Sequence, residues 1–398
     1  MNRDFRLLWT GSALSALGGT ASSFAYTLLV LALTGSPSDA GLVGFAAALP
    51  HALCTLPAGL VVDRVDRRRL MMLCDIGRAL ALVTVLVGLA LDVVPIWQLV
   101  LVAFVEGTLT VHADLAEQAA LSNLVPEDDL AVAMSRFVAR DRAAYLVGQP
   151  LGGVLFAIGR WVPFLFDLLS YLVSFGTLLG IRGSFQQDEP RRRQRWTAEL
   201  REGAAWLWRR PFLRTTALLI AGSNIAFQAL TLVVVVLLQG LGHSSVTIGL
   251  VLGCAGAGGT VGSLIASWVN ERLRLAHVVM AVSWVWASLV VVLTLSTELV
   301  VLGPAIVVIA FVGPIWIVGV EVHRLRSTPD HLQGRVGSVF ALVSFGPVPL
   351  GSLIAGFLLE ERGAPTALVF LAVGLVLLAI TATVAPSVRE KERIEVQA

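Results

Sequence analysis

Long uncharged stretches dominate the order of hydrophobic and polar positions along this chain. No Asp, Glu, Lys or Arg lies between Arg214 and Glu271, a stretch of 56 residues, and a second uncharged stretch of 32 residues separates Arg6 from Asp39. A helix that crosses a bilayer needs about 20 apolar residues. The first stretch therefore predicts two membrane spans joined by a short loop, and the second predicts one.

The whole pattern predicts an all-α membrane protein with twelve transmembrane helices. Prolines lie in or near several of the short connections, where a missing backbone donor does little harm. The predicted spans, numbered one to twelve, are 8–33, 40–62, 71–91, 95–120, 132–158, 162–181, 213–238, 246–269, 277–296, 300–322, 336–359 and 365–386.

One long polar interruption separates two predicted six-helix halves. The predicted parts are an N-terminal half at 1–181, a basic cytoplasmic linker at 182–212, a C-terminal half at 213–386 and a cytoplasmic tail at 387–398. The linker contains an amphipathic stretch through Trp196, Trp206 and Trp208. Similar proline-containing and glycine-containing segments recur about half a chain apart. Two parallel six-span repeats predict a transporter with a central path between the halves.

The distribution of basic residues predicts the orientation. If the N-terminus is cytoplasmic, the inner segments carry 23 Lys and Arg residues and the outer loops carry two, Arg160 and Arg362. Cytoplasmic loops of membrane proteins are enriched in these residues. We therefore expect a multi-pass protein of the cell membrane with both termini in the cytoplasm.

Composition narrows the function classes. Of all residues, 56% are hydrophobic and only 14% are charged, whereas soluble proteins average roughly 25% charged residues. The three cysteines and six histidines are scattered, so no metal site, disulfide framework or bound cofactor is expected. No P-loop or HExxH motif indicates an enzyme. A net charge of +2 gives no reason to expect a nucleic-acid partner.

The segment after predicted span two carries a recognisable motif. It reads Gly59-Leu60-Val61-Val62-Asp63-Arg64-Val65-Asp66-Arg67-Arg68-Arg69, which resembles the loop signature of the major facilitator superfamily. The resemblance implies that Gly59 lets helices approach closely and that Asp63 caps the start of span three. It also implies that Arg64, Arg67 and Arg68 pair with acids or helix ends of the other half; alternatively, the arginines serve only as a topology signal.

Predicted span five carries a second motif, Gly148-Gln149-Pro150-Leu151-Gly152-Gly153. It resembles the glycine-rich exporter signature of the same superfamily, with the proline displaced by one position. Gly148, Pro150, Gly152 and Gly153 would allow close helix packing and a bend, although they could equally be ordinary packing residues. The segment around Pro126, and Gly334-Arg335-Val336 with Pro349-Leu350-Gly351, resemble the exporter branch that includes siderophore exporters and macrolide efflux proteins. The resemblance to the superfamily implies a monomer.

Ionisable residues within predicted spans are functional candidates, because burying a charge is costly. Glu106 lies deepest in span four and is a candidate for carrying a proton or facing the substrate. The alternative is a structural ion pair with an arginine of span five. Asp114 and Glu117 lie nearer the cytoplasm, where interface water could solvate them.

Predicted spans five to seven add further candidates. Arg140 and Arg142 are expected to need acidic partners from span four, and Asp141 to neutralise a neighbour. This ion-pair network could act as a gate or be purely structural. Asp167, near the outer end of span six, is expected to face a cavity or an outer loop. Asn224 and Gln228 share a helical face of span seven and could line the transport path.

Two functions remain open from the sequence. The first is secondary active export of an amphipathic organic molecule, such as an antibiotic, a secondary metabolite or a siderophore, in exchange for protons. The second is import of a small solute by the same fold, because a fold does not determine the direction of transport. In either case the expected partners are a small-molecule substrate, protons and the lipid bilayer.

Overall fold

The computed structural model describes residues 3–126, 129–183, 185 and 196–389, and every regular element in these ranges is helical. The predicted all-α fold class is confirmed. The α-helices are α1 (Arg3–Thr34), α2 (Pro37–Arg64), α3 (Arg67–Ala90), α4 (Ile96–Leu124), α5 (Leu130–Ile158), α6 (Val162–Gly180), α7 (Trp196–Trp208), α8 (Pro211–Gly240), α9 (Ser245–Arg272), α10 (Leu275–Leu295), α11 (Leu299–Ser327), α12 (Gln333–Phe345) and α13 (Val348–Val384), and one turn of 3₁₀-helix covers Asp330–Leu332.

The helices account for the predicted spans with three irregularities. In the described ranges, nine helices are long and apolar enough to cross a bilayer, or ten if the two arms of α2, bent by 62° near Pro57, count as one span. The helix α5, with its four charged residues, is not among the nine. A single element, α13, covers most of predicted spans eleven and twelve across the non-helical Gly363, whose φ is 75°. The count of twelve stays a prediction.

The turn between α2 and α3 corrects one expectation. Asp66 caps α3, and its carboxylate accepts a hydrogen bond from the backbone N–H of Arg69 at 2.8 Å. Asp63 was predicted to do this at the start of span three. That prediction is wrong, because α2 continues through Arg64 and places Asp63 in its last turn.

The chain divides into two compact units. Unit 1 comprises Met1–Pro190 with Val235–Gly253, and unit 2 comprises Arg191–Val234 with Cys254–Ala398. Within unit 1, α1 packs against α5 and α6, α4 packs against α2 and α3, and α3 packs against α6. Within unit 2, α10 packs against α11 and α13, and α7 packs against α12. The predicted domain boundaries stay a prediction.

The predicted linker contains one described helix. Its amphipathic stretch is α7, whose Leu207 is fully buried. The carboxylate of Glu202 on this helix forms an ion pair with Arg335 of α12. The polar residues 186–195 of the linker, and residues 390–398 of the predicted tail, lie outside the described residues.

Candidate functional site

Glu106 is buried where α4 meets α1. The Tyr26 hydroxyl of α1 donates a hydrogen bond to Glu106 Oε2 at 2.6 Å. The other carboxyl oxygen, Oε1, has no hydrogen-bonding partner among the described residues. The sequence had left open an ion pair with an arginine of span five. The partner in the structure is instead an uncharged tyrosine of the first helix.

Asp167 of α6 is completely buried against α1, with 0% of its surface exposed. The Ser22 hydroxyl donates to Asp167 Oδ2 at 2.5 Å, and the Ser170 hydroxyl lies 3.1 Å from Oδ1. A Cβ added to Gly18 would lie 2.7 Å from Asp167 Oδ1, so the small side chains of α1 make room for this carboxyl group. Asp167 was expected to face a cavity or an outer loop; both alternatives are wrong, because α1 covers its side chain.

A buried ion pair lies beside these carboxyl groups on α3. Arg78 Nη2 is 2.5 Å from Asp75 Oδ1. The Arg78 guanidinium lies over the Tyr171 ring of α6, 4.4 Å from its centroid, which is a favourable cation–π distance. Within the described ranges, Asp75 Oδ2 and Arg78 Nε lack hydrogen-bonding partners.

These residues form one charged group in unit 1, which we call the acidic cluster: Asp75, Arg78, Glu106 and Asp167. Glu106 and Asp167 repel each other, and Arg78 attracts both. Three carboxyl groups thus share one guanidinium. If all three were ionised, the buried charge would be −2, and an unpaired buried charge costs several kcal/mol. Binding up to two protons neutralises the cluster, so its composition suits reversible proton uptake.

A second ion pair joins α4 to α5. Arg140 binds Glu117 through two contacts, Nη1 to Oε1 at 2.9 Å and Nη2 to Oε2 at 3.2 Å. Arg140 also contacts Asp141 at 2.8 Å. The expected pairing of Arg140 with a span-four acid is therefore present, while its role as a gate stays a prediction. Arg142 was expected to be deep enough to need a partner; its side chain is exposed on α5, and its predicted partner stays a prediction.

Asp114 is separate from both ion pairs. Its side chain is exposed on α4, in keeping with the expectation that solvent could reach it. It is attracted by Arg78 and Arg140 and repelled by Glu117. Asp114 forms no direct ion pair with either group in the part of the chain that the structure describes.

The loop-motif arginines bind backbone carbonyl groups of their own unit. Arg67 donates to the carbonyl oxygens of Ala119 and Phe185 at 2.8 and 3.0 Å, and Arg68 donates to that of Leu179 at 2.8 Å. Of these three acceptors, Leu179 lies in the last turn of α6, where carbonyl groups lack intrahelical partners. These contacts differ from the predicted pairing with the other half.

The loop motif also includes Gly59 and Arg64. Gly59 differs from expectation, and the predicted pairing of Arg64 stays a prediction. A Cβ added to Gly59 would meet nothing within 4 Å among the described atoms, so the close helix approach predicted there is absent. The side chain of Arg64 is exposed at the end of α2. A latching role for the loop stays a prediction.

The span-five motif lies where three helices of unit 1 approach closely. A Cβ on Gly152 would lie 2.5 Å from the Ala21 carbonyl oxygen of α1, and one on Gly153 would lie 2.3 Å from that of Ser245 in α9. Similarly, a Cβ on Gly148 would lie 2.6 Å from the Thr20 side chain. Pro150 contacts α9 at Gly253. Close packing is thus present, and its role in export stays a prediction.

Asn224 and Gln228 of α8 form hydrogen bonds within unit 2. Asn224 Nδ2 donates to the Ser344 carbonyl oxygen, and Gln228 Nε2 donates to Ser352 Oγ, both at 3.0 Å. These amides therefore join α8 to α12 and α13. Their predicted place on the transport path stays a prediction.

Sequence reasoning missed Tyr26, Asp75 and Arg78 as site residues. Arg78 and Asp75 both lie inside predicted span three, 71–91. The i,i+3 spacing of an acid and a base on α3 was an available signal. Another was the rarity of tyrosine: the chain has three, and Tyr26 and Tyr171 both border the acidic cluster. The contacts between helices were not available from periodicity.

In the described ranges, no group of three or more His, Cys, Asp or Glu side chains could hold a metal ion. The three carboxyl groups of the acidic cluster instead have a guanidinium and hydroxyl groups as neighbours.

Comparison with known proteins gives consistent results. A family model described as "Transmembrane secretion effector" matches residues 1–398. The multidrug efflux pump Tap of Mycolicibacterium fortuitum is 28% identical over 406 residues, covering 96% of each chain. Macrolide efflux protein A of Streptococcus pyogenes is 28% identical over 158 residues, covering 39% of this chain and 38% of that protein. The crystal structure of the nucleoside transporter NupG has a TM-score of 0.77 at 13% identity, covering 96% of this chain and 98% of the other.

Proposed function

Since this chain belongs to the transmembrane secretion effector family of the major facilitator superfamily, we propose that it exports an amphipathic organic molecule in exchange for protons. The chain is a multi-pass membrane transporter of the efflux type and not an enzyme. Import of a small solute has less support, because the named relatives are efflux proteins.

The acidic cluster is the observation that carries the proton-coupling proposal. Its three buried carboxyl groups share one guanidinium, and Glu106 Oε1 lacks a partner among the described residues. In the proposed cycle, Glu106 and Asp167 bind protons from the outer side and release them to the cytoplasm. Protonation removes buried negative charge, so the two protonation states favour different packing of α1, α4 and α6. This difference couples proton flow to alternating access.

The substrate class is proposed from the relatives. Tap is named a multidrug efflux pump, and the streptococcal protein is named for macrolide efflux. An antibiotic, a secondary metabolite or a siderophore fits the same chemical description, an organic molecule with apolar and polar parts. We propose that both termini lie in the cytoplasm, on the distribution of basic residues, and that the protein is a monomer in the cell membrane, on its resemblance to the superfamily.

Inside-out membrane vesicles with an acidic lumen test this proposal. The probes are a macrolide and a cationic dye, and the variants are Glu106→Gln and the matched control Glu298→Gln, which changes an exposed glutamate. We expect uptake by the wild type and the control that is abolished by a protonophore. Glu106→Gln should lower that uptake roughly 5- to 150-fold, the factor that corresponds to the usual coupling free energy between two sites.

Each contrary result has a distinct meaning. Uptake that persists with the protonophore would reject proton coupling. Uptake that persists in Glu106→Gln but collapses with the protonophore would move the proton site to another carboxyl group, with Asp167 the next to test. Inward transport in whole cells, without uptake by the vesicles, would reject export.

A further inference from the structure

Arg78 is the one guanidinium within the acidic cluster, and titratable groups face it from three helices. These groups are Cys74 and Asp75 on α3, Glu106 and Asp114 on α4, and Asp167 and Tyr171 on α6. Tyr26 on α1 donates a hydrogen bond to Glu106. The charge of Arg78 therefore acts on every carboxyl group of the cluster.

The hydrogen bonds of Arg78 leave part of its donor capacity unused. A guanidinium has five N–H donors. Arg78 uses Nη2 for Asp75 at 2.5 Å, makes one long contact from Nη1 to Thr110 Oγ1 at 3.5 Å, and has no partner for Nε among the described residues. A buried donor without an acceptor is costly. Arg78 thus retains donors for a second carboxylate.

The Tyr171 ring holds the guanidinium without occupying these donors. A cation over a ring face is attracted by the π-electrons, and its N–H groups remain free to bind acceptors at their edges. Tyr171 also faces Asp167. The position of Arg78 is therefore set by stacking on Tyr171, between Asp75 on its own helix and the carboxyl groups of α4 and α6.

We propose that Arg78 is the shared counter-ion of the acidic cluster and that it sets the pH at which the transporter binds and releases its proton. This inference rests on the proposed proton-coupled function. When Glu106 or Asp167 loses its proton to water, the new carboxylate is stabilised by Arg78, whose charge Asp75 otherwise balances alone. Arg78 neither carries the proton nor contacts the substrate, so it is a positioning residue.

Removing either charge of the Asp75–Arg78 pair is expected to shift the luminal pH of half-maximal transport, and the two shifts should have opposite signs. Asp75→Asn removes a negative charge and leaves the Arg78 charge to the remaining carboxyl groups. They then bind protons less readily, and half-maximal transport requires a more acidic lumen. Arg78→Gln removes the positive charge, so the carboxyl groups bind protons more readily and the half-maximal pH rises. The double variant removes a neutral pair and should lie between the single variants.

The experiment measures initial ethidium uptake by inside-out vesicles as luminal pH is varied at constant external pH. We expect each single variant to shift the half-maximal luminal pH by roughly one to three units, the usual effect of one charge on a nearby carboxyl group. A purely structural role would lower the maximal rate without moving the half-maximal pH in opposite directions. Absent or parallel shifts in the two variants would overturn the inference.

The experiment distinguishes failure of the proposed proton-coupled function from failure of the proposed role of Arg78. If wild-type uptake does not depend on luminal pH, the proposed function fails and this inference fails with it. If wild-type uptake depends on luminal pH but Asp75→Asn does not shift it, only the role of Arg78 fails. Should Asp75→Asn not accumulate in the membrane, Arg78→Lys and Arg78→Gln decide: the lysine should keep the wild-type profile, and identical profiles of the two variants would overturn the inference.

Discussion

The two units bury different polar chemistry. Among the described residues, the buried charged side chains of unit 1 are Arg67, Asp75, Arg78, Glu106, Glu117 and Asp167, whereas unit 2 buries Arg324 alone, which pairs with Glu321. The helices of unit 2 are instead joined by neutral groups, such as the Asn224 and Gln228 amides and the Trp286 indole, which donates to the Ile309 carbonyl oxygen at 2.9 Å. Amide and indole groups do not gain or lose protons near neutral pH, unlike carboxyl groups and histidines. The comparison therefore supports the proposal that protons bind within unit 1.

The largest expected effect comes from removing a charge of unit 1. Asp167→Asn should lower proton-driven uptake of the probe roughly 5- to 150-fold, because the variant loses a group whose protonation couples to conformation. Vesicle uptake measures this, with Asp330→Asn as a control at an exposed aspartate. Wild-type uptake by Asp167→Asn would mean that unit 1 does not need this carboxyl group for coupling.

A smaller effect should follow from removing the hydroxyl group that binds Glu106. Tyr26→Phe deletes the donor to Oε2, which lies 2.6 Å away. A donor to a carboxylate stabilises the ionised form. Its loss should therefore raise the luminal pH of half-maximal uptake, by roughly half to one unit if the bond contributes about 1 kcal/mol. The control is Tyr145→Phe, at an exposed tyrosine. A shift to lower pH would contradict the proposed direction of hydrogen bonding.

The smallest effect on the pH dependence of uptake is expected in unit 2. Gln228→Leu removes the hydrogen bond to Ser352 and should cost roughly 1 to 3 kcal/mol of stability, since one buried partner is left unsatisfied. Thermal unfolding of the purified protein checks this, with Gln239→Leu as an exposed control on the same helix. The pH profile of uptake should not move. A shifted profile would show that unit 2 takes part in proton binding.

The fold was more predictable from the sequence than the site. Uncharged stretches identify membrane helices because the bilayer excludes charge, and α8 and α9 follow directly from the stretch between Arg214 and Glu271. The ends of the helices were harder to predict from nearby capping residues than the spans were from uncharged stretches. Asp63 was predicted to cap the third span, whereas α2 continues through Arg64 and the cap of α3 is Asp66.

The site was only partly predictable because helical periodicity assigns a residue to a face and not to a neighbour. The expected pairing of Arg140 with a span-four acid is present. The contacts of Asp167 with Ser22 and of Glu106 with Tyr26 depend on which helices pack together. Tyr26 carries no charge at neutral pH, so a search for charged residues within apolar spans passed over it.

The positions of two glutamates on α4 have a mechanical consequence. Glu106 contacts Tyr26 of α1, and Glu117 contacts Arg140 of α5. The two glutamates are 11 residues apart, which is about 16 Å along a helix and brings them to nearly the same face. The helix α4 is therefore attached to its neighbours at two points along its length, Glu106 and Glu117. It cannot tilt away from α1 and α5 without lengthening at least one of the two contacts. A tilt centred on one contact lengthens the other.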